Sequence, residues 1–136
     1  MIGTVSKELT DVILETLPLE ISILDHDDKV LAWNKHETRV FKRPKGVVGR
    51  DVRNCHPQKS LSKVETILNE MKQGTRDKAT FWIDLPFDET KKKHKILIQY
   101  LALRDSKGTY LGCLEATQDI TEIKTIEGEK RLLDEK

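Results

Sequence analysis

The chain has 136 residues and a mass of 15.7 kDa, the size of one domain with a single modest core, which excludes a second full domain. With 37% hydrophobic and 35% charged residues, and only two cysteines, Cys55 and Cys113, the composition excludes a fibrous or disordered chain, a membrane span and a disulfide framework. Its 24 basic and 23 acidic residues leave a net charge of +1, which gives no global case for binding nucleic acid or membranes.

The first elements alternate cleanly. Val5, Leu9, Val12, Ile13 and Leu17 form the stripe of an amphipathic helix that Pro18 ends. The opening MIGTVSKELT has no basic start or apolar h-region, which points to the cytoplasm. EISILD and VLAWN flank the turn His26-Asp27-Asp28-Lys29, so residues 20 to 34 read as a hairpin with a solvated turn. HETRVFKR looks like a short helical stretch, Pro44 and Gly46 break it, and residues 47 to 59 show no sustained period. Residues 1 to 28 carry one Lys against seven acids, whereas residues 35 to 63 carry nine Lys or Arg against two. This basic island reads first as a solvated surface and second as a docking face for an acidic partner or anionic ligand. With only Trp33 and Phe41 in or beside it, nucleic acid is a weaker option.

From Ser60 onward Leu61, Val64, Ile67, Leu68 and Met71 share a helix face, Ser62 and Glu65 suit a capping box, and Gly74 supplies the stop. Three β-type segments follow, at about 78 to 85, 95 to 104 and 109 to 118, the last two joined by the turn Asp105-Ser106-Lys107-Gly108. Lys91-Lys92-Lys93-His94-Lys95 reads as a solvated loop that blunts a strand edge. Ile96, Ile98 and Tyr100 oppose Leu97, Leu101 and Leu103 across the pleat, so the sheet needs cover on both faces. The central helices can cover one face, and the N-terminal helix or a second subunit the other. In the tail, Ile120, Ile123, Ile126, Leu132 and Leu133 make a loosely helical pattern, weakened by Gly128, that suits a short helical linker or dimer contact.

This order of elements resembles a PAS domain. LPLEISILDHDDKVLAWN looks like the opening hairpin of that family, with Asn34 closing the second strand; Val48-Gly49-Arg50 resembles its central glycine step, and Asp119-Ile120-Thr121-Glu122 its closing element. Asn54-Cys55-His56-Pro57-Gln58-Lys59-Ser60, Phe81-Trp82-Ile83 and Glu127-Gly128-Glu129-Lys130-Arg131-Leu132-Leu133 resemble the subgroup attached to hemerythrin-like domains, although a second proline is usual where Gln58 stands. The resemblance implies an α+β fold: a five-stranded antiparallel sheet with short helices on one face and flanking helices at both ends. The expected divisions are a flanking helix over 1 to 18, a sensor domain over 19 to 121 and a helical linker over 122 to 136.

In that resemblance residues 54 to 60 border an internal pocket. Asn54, Cys55, His56, Lys59 and Ser60 are therefore candidate ligand-binding residues, joined by Trp82, Gln99 and Tyr100 on the strands. His56 or Cys55 could ligate haem or another metal, or Cys55 could act as a redox thiol. Alternatively Lys59 and Arg53 could hold an anionic or fatty small molecule, or the segment is simply core and cap. The Asn54-Cys55 pair also resembles the flavin-reactive cysteine of light-oxygen-voltage PAS domains, but His56-Pro57-Gln58-Lys59 departs from their motif. No finger-like Cys/His spacing, P-loop, nucleophile elbow or H-E-x-x-H motif is present, so a non-enzymatic module is expected. The leading function is a sensory PAS module that binds a small ligand and relays it through its terminal helices, with Asp119, Ile120 and Thr121 as the coupling residues and a homodimer or a hemerythrin-like output domain as partner. The alternatives are a ligand-free dimerisation module and a haem- or metal-dependent redox sensor.

Overall fold

The computed structural model describes residues 1–86 and 92–134. Its elements are α1 (Lys7–Thr16), β1 (Glu20–Asp25), β2 (Val30–Trp33), three short 3₁₀ turns between Lys45 and Ser60, α2 (Leu61–Gln73), β3 (Lys78–Pro86), β4 (Lys93–Arg104), β5 (Tyr110–Asp119) and a last 3₁₀ turn, Ile123–Thr125. The strands form one sheet in the order β2-β1-β5-β4-β3, antiparallel throughout. This is the α+β fold with a five-stranded antiparallel sheet that the sequence implies.

Local chemistry sets the element ends. Ser6 caps α1, its Oγ accepting from the Leu9 amide at 3.1 Å, and the helix stops before Pro18. Gly74 ends α2 in the left-handed region at φ 81°, which lets its own amide and that of Thr75 bond back to Met71 and Glu70. In the β4–β5 turn Gly108 takes φ 85°, and Asp105 Oδ1 accepts from the amides of Lys107 and Thr109, each at 2.9 Å.

The core lies on one face of the sheet. Val64, Leu68 and Met71 of α2 pack on Leu24, Ile96, Ile98, Tyr100 and Cys113, with Val47 and Val52 closing the end beside the 3₁₀ turns. Burying each large side chain here stabilises by roughly 1.5–3 kcal/mol. The opposite face is different: α1 has no buried residue, and Val5, Leu9, Val12 and Ile13 stay exposed while only its last turns approach Ile21, Ile23 and Ala32. The N-terminal helix therefore leaves the outer face largely uncovered.

Several local expectations change. HETRVFKR is a turn and extended chain, not a helix, because its Arg39 points inward to pair with β1. The capping box at Ser62 and Glu65 is replaced by a 3₁₀ turn, Gln58–Ser60, running straight into α2, and Glu65 turns to Arg53 at 2.8 Å. Lys93, His94 and Lys95 belong to β4 and pair with Pro86, Leu85 and Asp84, so the predicted basic loop is strand there; Lys91 lies outside the described residues. The tail holds only the turn Ile123–Thr125 and no helix follows it through residue 134: Gly128 sits at φ 64°, Leu132 at φ 47°, and Ile126, Leu132 and Leu133 meet no surface that would bury a helix face. No helix among the described residues is long and apolar enough to cross a membrane.

Candidate functional site

Between the inner face of the sheet and the loop over residues 39–60 lies a cavity of about 760 Å³. Its apolar wall is Val40, Phe41, Val47, Phe81, Ile83 and Ile98; its polar wall includes Ser22, Arg43, His56, Tyr100, Glu115 and Thr117. Strand parity turns both sets to this one face: Ser22, Glu115 and Tyr100 stand side by side across β1, β5 and β4, and Thr117, Ile98 and Phe81 form the next inward row across β5, β4 and β3. A concavity of about 730 Å³ along Thr125–Arg131 is only the curl of the exposed tail and gathers no buried group.

Two buried ion pairs frame the cavity, and they differ. Arg39, with a side chain 3% exposed, lies 3.2 Å from Glu20 and donates to the carbonyls of Phe41, Ile21 and Asn34 and to Ser22 Oγ. Glu20 in turn accepts from the amides of Val40 and Phe41, so this pair is saturated and pins the loop to β1. Among the described residues Arg43 makes one bond, Nη2 to Glu115 Oε2 at 3.0 Å, and leaves Arg43 Nε and Glu115 Oε1 buried without a partner. Burial pushes the Glu115 carboxyl above the ordinary carboxylate range, with Arg43 opposing the shift. The basic island is thus not wholly a solvated surface, because Arg39 and Arg43 are turned inward.

His56 bridges two elements: its Nδ1 meets the Val52 carbonyl at 3.1 Å and its Nε2 the Tyr100 hydroxyl at 3.2 Å. The Val52 carbonyl can only accept, so Nδ1 carries the proton, and in the neutral ring Nε2 accepts from the Tyr100 hydroxyl; desolvation holds the Tyr100 phenol far above its usual range. With both ring nitrogens committed, this imidazole does not present a free nitrogen to haem or a metal. Neither His56 nor Cys55 joins a cluster with metal-ligand geometry among the described residues; the one such group, Asp25, His26 and Asp27, sits on the hairpin turn, where Asp25 Oδ1 already accepts from the amides of Asp27 and Lys29.

Of the sequence candidates, Asn54, Cys55, His56, Ser60 and Tyr100 line the cavity. Lys59, Trp82 and Gln99 do not. Lys59 is exposed on the 3₁₀ turn, Trp82 is 63% exposed on the outer face between the inward Phe81 and Ile83, and Gln99 lies on that same outer face opposite Thr80. Asp28 also departs from its expected solvated turn: it is 2% exposed and accepts from Arg53 at 3.1 Å and Lys72 at 2.7 Å, which ties the hairpin to α2. Sequence reasoning passed over Glu20, Arg39, Arg43 and Glu115. The density of Arg and Lys at 35 to 63 beside strands bearing acids was the available signal.

Asp119, Ile120 and Thr121 form a clamp at the far end of β5. Asp119 Oδ1 accepts from the Thr121 amide at 3.0 Å and hydroxyl at 2.6 Å, its Oδ2 meets His94 Nδ1 at 2.7 Å, and Ile120 N donates to the Lys95 carbonyl at 2.9 Å. The clamp therefore ties the exit of β5 to the start of β4. Desolvation works against the Asp119 carboxylate, but the bonds from Thr121 and His94 outweigh it and hold its pKa below the ordinary range. The clamp is accordingly intact at neutral pH and loosens only as pH falls through that lowered value.

The two thiols differ in access. Cys113 is fully buried and desolvation pushes its thiol up to about 12, whereas Cys55 is half-buried at the cavity wall. Iodoacetamide is expected to modify Cys55 in the native protein and Cys113 only after unfolding; peptide mapping that found Cys113 modified first would contradict this packing.

A PAS domain family model matches residues 10–121. The chain belongs to the PAS domain family. This PAS domain is 35% identical to the C-terminal domain of a Streptococcus mutans protein of known structure, covering 91% of this chain and 92% of that one with a TM-score of 0.79. It shares the fold of the PAS domain of Bordetella pertussis BvgS at 19% identity, covering 85% and 86% of the two chains with a TM-score of 0.62. The same fold occurs in a sensory box sensor histidine kinase from Vibrio cholerae at 16% identity, covering 85% and 91% with a TM-score of 0.57. No curated protein matches the sequence.

Proposed function

We propose that this PAS domain is a non-enzymatic, cytoplasmic sensory module that binds a small amphipathic molecule in the cavity under the 39–60 loop and relays occupancy through its termini. The observation that carries this reading is the cavity itself: one apolar wall, and a buried Arg43–Glu115 pair with hydrogen-bonding capacity left over. The kinship of its fold with the PAS domains of BvgS and a sensor histidine kinase supports the sensory role. The likeness of residues 54–60 and 127–133 to hemerythrin-linked PAS domains supports a hemerythrin-like output partner. Native mass spectrometry and an absorption spectrum of the freshly purified protein test the reading. A bound mass released on denaturation supports it; a bare chain that also binds no small-molecule fragment overturns it.

Relay requires an element that both the cavity and the terminus bias. Glu115 and Asp119 lie on the same strand, and the Asp119 clamp joins that strand to β4 just before the tail leaves. Asp119→Ala is expected to leave ligand affinity within about twofold while abolishing the ligand-induced shift of tail amides in NMR spectra. Loss of binding as well would refute the coupling role.

A second reading, a homodimer, is favoured by one observation. Val5, just before α1, and Leu9, Val12 and Ile13 of α1 remain exposed, and a second copy would bury them.

A further inference from the structure

The Arg43–Glu115 pair says more about the ligand than that one binds. In the saturated neighbour, Arg39 and Glu20 exhaust each other and the surrounding backbone. Arg43 and Glu115 instead meet through a single bond and leave one N–H donor, Nε, and one acceptor oxygen, Oε1, both buried. Such groups are rarely left unmatched, because each loses its hydration with nothing in return. The covalent frames place Nε one carbon from the bonded Nη2 and Oε1 one carbon from the bonded Oε2.

Charge narrows the choice. The deep end of the cavity is internally neutralised, Arg39 by Glu20 and Arg43 by Glu115, whereas Lys42 and Arg50 are exposed at its mouth. An anionic head reaching the deep end would have to break the Arg43–Glu115 bond or lie against the Glu115 carboxylate. A neutral head that carries a donor and an acceptor on one carbon leaves the ion pair intact and completes both orphan groups. The apolar wall of Phe41, Phe81, Val47 and Ile98 suits an aromatic or aliphatic body behind that head.

Resting on the ligand-binding reading above, we infer that the molecule recognised is a neutral carboxamide-type compound, its N–H directed to Glu115 Oε1 and its carbonyl to Arg43 Nε. Water would satisfy the same two atoms, so the test must separate an organic amide from solvent and from an acid.

The test titrates the ¹⁵N-labelled 136-residue chain with benzamide and with benzoate, which share a ring and differ in the head. Benzamide is expected to shift the amides of Phe41, Arg43, Tyr100 and Glu115, with benzoate at least about tenfold weaker. Glu115→Gln keeps the side chain's shape but puts an amide group on the carboxylate, and it should weaken benzamide about tenfold or more. Outer-face resonances such as Trp82 should remain unchanged, which shows that the variant is folded. Benzoate binding as tightly as benzamide, or benzamide binding unaffected by Glu115→Gln, overturns the amide class while the cavity reading stands. If an organic extract of the purified protein yields a bound acid, the same conclusion holds. If neither fragment shifts a cavity residue and the extract is empty, both the amide class and the ligand-binding reading fail.

Discussion

Arg39→Ala is expected to cost about 3–5 kcal/mol, the loss seen when one partner of a buried ion pair is removed and the other is left without compensation. A domain of this size has roughly 5–15 kcal/mol to lose. The Arg39 side chain is 3% exposed and its partner Glu20 6%, so the carboxylate that remains has given up most of its hydration without its counter-charge. The guanidinium also closes the Phe41, Ile21 and Asn34 carbonyls and Ser22 Oγ, which would all lose a donor together. Arg39→Lys keeps the charge, but three donors on one nitrogen cannot reach four acceptors spread over the loop and β1, so it should recover less than half of the loss. Glu20→Gln should be milder, since one amide oxygen still accepts from the Val40 or Phe41 N–H. Urea unfolding measures all three; the midpoint should fall in the order Glu20→Gln, Arg39→Lys, Arg39→Ala with the slope unchanged. An Arg39→Ala loss below about 1 kcal/mol would mean that the loop over the cavity is held by something else.

Gly74, Gly108 and Pro18 were legible because helix stops and tight turns are decided by a few adjacent residues, and the structure has each where its local chemistry places it. The strand face was not legible in β4, because both its sides are apolar, Ile98 and Tyr100 against Leu97 and Leu101; in β3 Thr80 and Asp84 do alternate with Phe81, Ile83 and Leu85, and Trp82 alone breaks the pattern. In β4 only the position of α2 decides which face is inner, and Gln99 lies on the other side; Trp82 shares the outer face that Thr80 and Asp84 mark in β3. Arg39 and Arg43 failed for a different reason. Charge in an irregular segment reads as solvated, and their partners Glu20 and Glu115 are reached only through the fold, Glu115 from 72 residues away. The tail is the converse case: its apolar spacing suits a helix, but a pattern needs a surface to bury against, and a single chain offers Ile126, Leu132 and Leu133 none.

Gly112→Ala should be at least as damaging, through backbone contact and not charge. Gly112 stands on β5 opposite Asp25 of the neighbouring strand β1. A Cβ there would overlap the Leu24 carbonyl oxygen, with the Leu24 carbonyl carbon at 3.2 Å and Asp25 Cα at 3.3 Å behind it. These are ladder atoms of a central strand, so relief requires β5 to move away from β1, not a rotamer change. Overpacking ordinarily costs about 1–3 kcal/mol, and a clash with fixed backbone belongs at or above the top of that range, a fall in Tm on the order of 10 °C. Gly46→Ala is the control, because a Cβ there meets nothing within 4 Å and the backbone is not in the left-handed region; it should leave Tm within about 2 °C. The displacement has a functional consequence as well, since the same β1–β5 ladder sets Ser22 opposite Glu115. Any Gly112→Ala protein that still folds should therefore bind benzamide more weakly than the parent, even though residue 112 is not part of the cavity wall. Full stability together with unchanged binding would show that β1 and β5 are not in the register that positions Glu115.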